Sequence, residues 1–234
     1  MTMHPLSPGG NTLVILDACV LLPSRLSDVL FDLMLEGLYF AYWTSDVEAE
    51  FLRNWPQVHP DASKSGAKRL KAFQRAVNNA QLITGYADTA FMSRVPGRVH
   101  EDDRHLVAAA LVMVNGLDEE DDPARHKGMI VSDNTKHLAV ADTRKLGIEV
   151  IKAGAFLDRL CRAAPARTNQ AIAKALNDLT AAIFQSRTGG GATPSWCEGD
   201  SRQFGKSNWV TEVIARVQPD HSVSKDSQLS KRSA

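Results

Sequence analysis

Asp17 closes the stretch LVILD, directly after four apolar residues, and Asp133 closes MIVSD in the same way, with Asn134 beside it. A carboxylate at the tip of a buried strand is costly unless something answers its charge. In an open parallel α/β sheet that tip is also where ligands bind, just beyond the carboxyl ends of the strands. Two further acidic stretches read as helices. In HEDDRHLVAAALVMVNG the apolar positions Leu106, Val107, Ala110, Leu111 and Val114 form one stripe with Asp103 at its centre, while Asp102 falls about 100° to the side. A buried Asp needs a partner, and a cation is one; an N-cap role for Asp102 or Asp103 is the plain structural alternative. In WTSDVEAEFLRNW the acids are Glu48 and Glu50. Helical geometry brings Glu48 nearer the apolar centre of Val47, Phe51 and Trp55, but the pattern leaves both open. Oxygen donors without a His or Cys cluster suit Mg2+ or Mn2+ and disfavour zinc. One such ion, or a pair, positions a water, lowers its pKa and stabilises the charge that develops on an attacked phosphodiester.

The elements that must position these acids follow from periodicity. Besides LVIL, short apolar runs around 40–45 (FAYWTS), 80–84 (AQLIT), 129–132 (MIVS) and 148–152 (IEVIK) read as strands. Helical patterns at 25–36, 61–79, 103–115, 135–146 and 153–163 separate them, and Gly37 and Gly147 sit where the first and fourth should stop. Buried strands alternating with helices predict an α/β fold with a mostly parallel sheet covered on both faces. Ile172, Ala175, Leu176, Leu179 and Ile183 give a further amphipathic helix over 164–187. SRTGGGATPS and the polar residues after it read as a linker and disordered tail over 188–234, apart from NWVTEVIARV, which suits a short helix; residues 1–11 read as a flexible N-terminus.

With 234 residues, 44% of them hydrophobic, the chain can bury one main core. Its formal net charge is zero, so any nucleic-acid binding must come from a local basic patch and not from a global field. Three cysteines, Cys19, Cys161 and Cys197, are too few and too scattered for a disulfide framework, which fits a reducing cytoplasm. MTMHPLSPGG lacks the features of a secretion signal, and no apolar run approaches the roughly 20 residues that span a bilayer.

Together these stretches resemble the PIN-domain family, in particular the VapC-like ribonuclease toxins of bacterial toxin–antitoxin pairs, over roughly residues 12–160. The resemblance rests on LDACVLLPSRLSDVLFDLMLEGLY, WTSDVEAEFLRN, DDRHLVAAA and IVSDN in that order, followed by GIEVIKAGAFLDRL. It implies a PIN-like nuclease domain over 12–163 in a three-layer fold with a five-stranded parallel sheet, and a site in which Asp17, Glu50 in preference to Glu48, Asp103 and either Asp133 or Asn134 hold Mg2+ or Mn2+ to cut RNA. It also implies an antitoxin partner and often a homodimer. Three features depart from the family: Cys19 where Asn is common, the acidic insertion LDEEDDPARHKG, and the tail beyond Ser186. A haloacid-dehalogenase-like phosphatase would want D-x-D, and Cys19 breaks that pattern; a phosphoreceiver would want an acid after the third strand, where AQLITGY has none. A degenerate PIN domain that binds RNA or protein without cutting is the non-enzymatic alternative.

For substrate, Lys64, Lys68, Lys71 and Arg75 are spaced by four, three and four residues, a stripe along one helical face able to follow a phosphate backbone or simply to be a solvated surface. Arg104 and His105 adjoin Asp103 as further phosphate contacts, with a structural role for His105 as the plainer expectation. Cys19 reads as a packing residue, not a nucleophile, and Trp43 and Trp55 as core.

Overall fold

The computed structural model describes residues 13–76, 82–115, 128–164 and 167–168. Strands β1 (Leu13–Leu16), β2 (Phe40–Thr44), β3 (Leu82–Ile83), β4 (Gly128–Val131) and β5 (Ile148–Ile151) form one all-parallel sheet in the order β3-β2-β1-β4-β5. The expected α/β fold is therefore what the chain adopts, and each strand overlaps the stretch that its apolar run marked. β1 and β4 are buried at every position, as central strands covered on both faces must be. The strand order reverses between them: β1, β2 and β3 run outward on one side, and the chain then returns to place β4 against the other edge of β1. That reversal opens a crevice at the carboxyl ends of β1 and β4.

The described helices are α1 (Ala18–Leu21), α2 (Ser24–Leu35), α3 (Ser45–Val58), α4 (Gly66–Ala76), α5 (Thr89–Met92), α6 (Arg104–Asn115), α7 (Val140–Arg144) and α8 (Ala153–Ala163). α1 and α5 were not foreseen, because four residues carry too little periodicity to register. Two expected helices are shorter than their patterns. The 61–79 pattern resolves into a 3-10 segment, Pro60–Ser65, followed by α4. The 135–146 pattern is broken at Ala139, whose φ of 43° is left-handed, so that a 3-10 turn over Thr135–Leu138 precedes α7. An alanine there costs on the order of 1–2 kcal/mol; the hydroxyl of Thr143 donating to Leu138 O at 2.6 Å helps hold the kink. The N-terminus over 1–11, the acidic insertion over 117–127, the tail over 188–234, and all of the 164–187 helix except residues 164, 167 and 168 lie outside the described residues. At its start, Thr168 is buried and its N–H donates to Ala164 O at 3.0 Å.

Large side chains tie the sheet to the helices packed on it. Trp43, Phe31, Phe73, Phe51 and Trp55 make a chain of ring contacts linking β2, α2, α4 and α3, so both tryptophans are core residues, as expected. Arg69 clamps α4 to α2: its guanidinium donates to Ser24 O, Ser27 Oγ and Asp28 Oδ1, each at 2.7 Å, and lies over Phe73 and Trp55. α3 and α4 meet at Gly66, where a Cβ would stand 2.7 Å from Trp55 Cγ and 2.8 Å from Cδ1. Its backbone is ordinary right-handed helix (φ −55°), so alanine would stabilise the helix were there room. The contact decides the sign: Gly66→Ala should destabilise the protein by roughly 1–3 kcal/mol in urea unfolding. An unchanged or raised midpoint would mean that α3 and α4 are not packed this closely.

Candidate functional site

The crevice begins with Asp17. Its backbone N–H donates to Val131 O at 3.1 Å, carrying the β1–β4 ladder one residue past the strands, and Ser132 N–H does the same toward Ile151 O at 3.0 Å. Asp17 and Ser132 thus come to face each other at the topological switch. Asp17 is only 3% exposed, and its Oδ2 accepts from Ser132 Oγ at 2.6 Å and from the Cys19 thiol at 3.1 Å. Ser132 Oγ in turn accepts the N–H of Asn134 at 3.0 Å, which fixes the hydroxyl proton on Asp17. Burial, and next the Asp17 charge, push the Cys19 thiol far up. It remains protonated and serves as a donor to Asp17, which removes it as a nucleophile.

α3 carries two glutamates with different jobs. Its first turn is capped by Thr44 Oγ1, which accepts from Val47 N–H at 3.2 Å. Glu48, nearer the apolar centre, turns into the scaffold: one carboxylate oxygen accepts the Trp43 indole N–H at 2.8 Å and the Gln74 amide at 2.9 Å. Glu50, two residues on, falls on another face of α3 and accepts from the Asn54 amide at 3.4 Å. Its pKa is raised by burial first and then by the charges of Asp17 and Asp103, against a smaller opposing pull from Arg53. Glu48 is therefore structural, while Glu50 is the glutamate that feels the charges of Asp17 and Asp103.

Asp103 ends a 3-10 turn, Glu101–Asp103, that feeds directly into α6. The cap of that turn is the His100 imidazole, accepting from Asp102 N–H at 3.4 Å; Asp102 itself is exposed, while Asp103 is buried, at 8% exposure. The inward aim read from the apolar stripe is what the helix adopts. Burial, then Asp17, raises the Asp103 carboxyl, and His137 pulls it back. Asp103 Oδ2 lies 3.1 Å from His137 Nδ1, and Asn134 Nδ2 lies 2.9 Å from the same nitrogen. His105, one residue beyond Arg104, is buried and bonded through Nδ1 to Thr44 Oγ1 at 2.9 Å; desolvation lowers its pKa. It is neutral packing between α6 and β2, as its plainer reading held.

Among the described residues no lysine or arginine forms an ion pair with Asp17, Glu50 or Asp103. Glu50 and Asp103, each raised by burial and by the Asp17 charge, with His137 beside Asp103, are an arrangement that a divalent ion would relieve. The remaining candidates fall elsewhere. Asp133 is exposed and its Oδ1 accepts the N–H of Ala153 at 3.2 Å, so this carboxylate caps α8; Asn134 is the member of that pair tied to Asp103, through His137. Arg104 donates to Met92 O at 3.0 Å, bracing α6 against α5. Lys64, Lys68, Lys71 and Arg75 are all exposed, Lys64 on the 3-10 segment and the others on α4. His100 and His137 were missed. Neither belongs to a spaced metal motif, and only the break at Ala139 and the backbone bond from His100 N–H to His137 O, 2.8 Å, bring them beside Asp103. Comparison with family models, with curated proteins and with solved structures finds no match.

The two glutamates yield opposite stability predictions in the metal-free protein. Glu48→Ala orphans the indole N–H of Trp43 and should cost about 1–3 kcal/mol. Glu50→Gln removes a repelled charge and should stabilise by up to about 1 kcal/mol at neutral pH. Because the folded protein holds the Glu50 proton more tightly than the unfolded chain does, this gain should shrink as pH falls through the carboxylate range and vanish below it. Urea unfolding with chelator across pH measures both; a stabilising Glu48→Ala or a destabilising Glu50→Gln would reverse the assignment.

Proposed function

We propose that the protein is a metal-dependent endoribonuclease of the PIN-domain kind, acting as the toxin of a toxin–antitoxin pair in the cytoplasm. The observation that carries this reading is Asp17 at the switch point of a five-stranded parallel sheet, with its charge acting on Glu50 and Asp103 from two other stretches of the chain. Asp17, Glu50 and Asp103 would hold Mg2+ or Mn2+, with Asn134 a candidate fourth donor. Bound there, the ion supplies a water of lowered pKa and charge stabilisation at the phosphodiester. The protein's own part is to orient the donors. Ser132 and Cys19 hold one oxygen of Asp17, leaving the other for the crevice. The α3 cap at Thr44 sets where Glu50 points, and His137 restrains Asp103.

RNA is the substrate in this reading, with the exposed Lys64, Lys68, Lys71 and Arg75 along the path of its backbone. An antitoxin and a second copy of the chain are the partners it implies. No described helix is long and apolar enough to cross a membrane. A catalytically degenerate domain, binding RNA or protein without cutting, has one observation in its favour: Asp133 is engaged in capping α8, which leaves three carboxylates at the crevice.

Incubating the purified chain with mixed RNA in Mg2+, Mn2+ or EDTA separates the two. Cleavage should require metal and fall on the order of 100-fold or more in Asp17→Asn, Glu50→Gln and Asp103→Asn. Cleavage that survives EDTA, or is indifferent to all three changes, contradicts the metal nuclease; binding without cleavage establishes the degenerate form. Replacing Lys64, Lys68 and Lys71 with Gln should reduce the slope of log affinity against log salt by roughly 2, at about 0.7 per lost contact to single-stranded RNA. An unchanged slope would return the stripe to plain surface.

A further inference from the structure

We propose that His100, Asp103 and His137 form a second cation site, one that takes a borderline transition metal of the Zn2+ class in preference to Mg2+. Each residue offers one ligand atom, and the three atoms all lie within 4.8 Å of one another. Ligands sharing one tetrahedral ion at bonds of about 2.1 Å stand roughly 3.4 Å apart. Closing the site therefore asks for a movement of up to roughly 1.4 Å, which side-chain rotation can supply: both imidazoles are exposed, while Asp103 is buried.

The backbone already assembles the site. His100 N–H donates to His137 O at 2.8 Å, so the turn before α6 and the 3-10 turn after β4 are stitched together at the two residues that carry the imidazoles. Their rings stack with centroids 4.6 Å apart. His137 Nδ1 has the Asp103 carboxylate at 3.1 Å and the Asn134 amide nitrogen at 2.9 Å. That nitrogen can donate to the first or accept from the second, and one tautomer does not do both. An ion bonded to Asp103 and to His137 gives the lone pair a partner that the metal-free contacts leave contested.

The donor set selects the ion. Two imidazoles and one carboxylate favour Zn2+, Co2+ or Ni2+, whereas Mg2+ strongly prefers oxygen and retains its waters. Three protein donors also leave a position open for a water or substrate oxygen. The site shares Asp103 with the proposed nuclease pocket, so the experiment is arranged to tell the two apart.

Zn2+ binding to the full chain would be measured by calorimetry in the presence of millimolar Mg2+, for the unmodified protein, His100→Ala, His137→Gln and Asp17→Asn. One Zn2+ per chain should bind despite the Mg2+. Each histidine change should weaken it at least tenfold, and Asp17→Asn, which removes a neighbouring charge but no ligand, should weaken it less than either. A readout that needs no variant is the imidazole nitrogen NMR spectrum, in which His100 and His137 should shift on adding Zn2+ while buried His105 does not. Zn2+ affinity indifferent to both histidines, displacement by Mg2+, or loss in Asp17→Asn equal to that in the histidine variants would each overturn the proposal. Absence of RNA cleavage with histidine-dependent Zn2+ binding intact would remove the nuclease reading and leave this site standing.

Discussion

Carboxylates gathered at one end of a sheet repel one another, and the fold forces them together all the same. The register of β1 against β4 pairs Leu16 with Val131 and so carries Asp17 to Ser132 across the switch point. α3 and the turn before α6 carry Glu50 and Asp103 within range of the Asp17 charge, and burial together with that charge makes both harder to ionise. A protein gains nothing in stability from this arrangement. It persists because the surrounding packing over-determines it, and local conflict of that kind concentrates where function resides.

What over-determines it is a scaffold of specific polar ties beneath the apolar core. Glu48 shares one oxygen between Trp43 and Gln74, locking β2, α3 and α4 in register. Arg69 spans from α4 to the first turn of α2, and Gly66 lets α4 approach the Trp55 ring. These contacts hold α3 as a rigid bar. The two faces of one helix thus divide the work: a scaffold carboxylate at position 48 and a crevice carboxylate at position 50.

Strand runs, the inward aim of Asp103 and the strand-end place of Asp17 were legible in the sequence because each is set by local periodicity. The choice between Glu48 and Glu50 was not, since helix geometry ranks burial and says nothing of what a buried acid meets; the indole N–H of Trp43 decided it. Asp133 and Arg104 read as site residues from adjacency alone, and three-dimensional neighbours, Ala153 N–H and Met92 O, claim them instead. The imidazoles at 100 and 137 were invisible for a related reason. A left-handed Ala139 inside a pattern that reads as one continuous helix, and a single backbone hydrogen bond between distant turns, are features that no spacing announces.

Metal binding should draw oxygens of Asp17, Glu50 and Asp103 within one ion's reach. A crystal grown with Mn2+ and measured at an anomalous wavelength reads this without any assay of activity. The account expects a Mn2+ peak bonded to oxygens of Asp17 and of at least one of Glu50 and Asp103. A map with Mn2+ bound only elsewhere, or with those three carboxylates turned apart around an empty crevice, would contradict it.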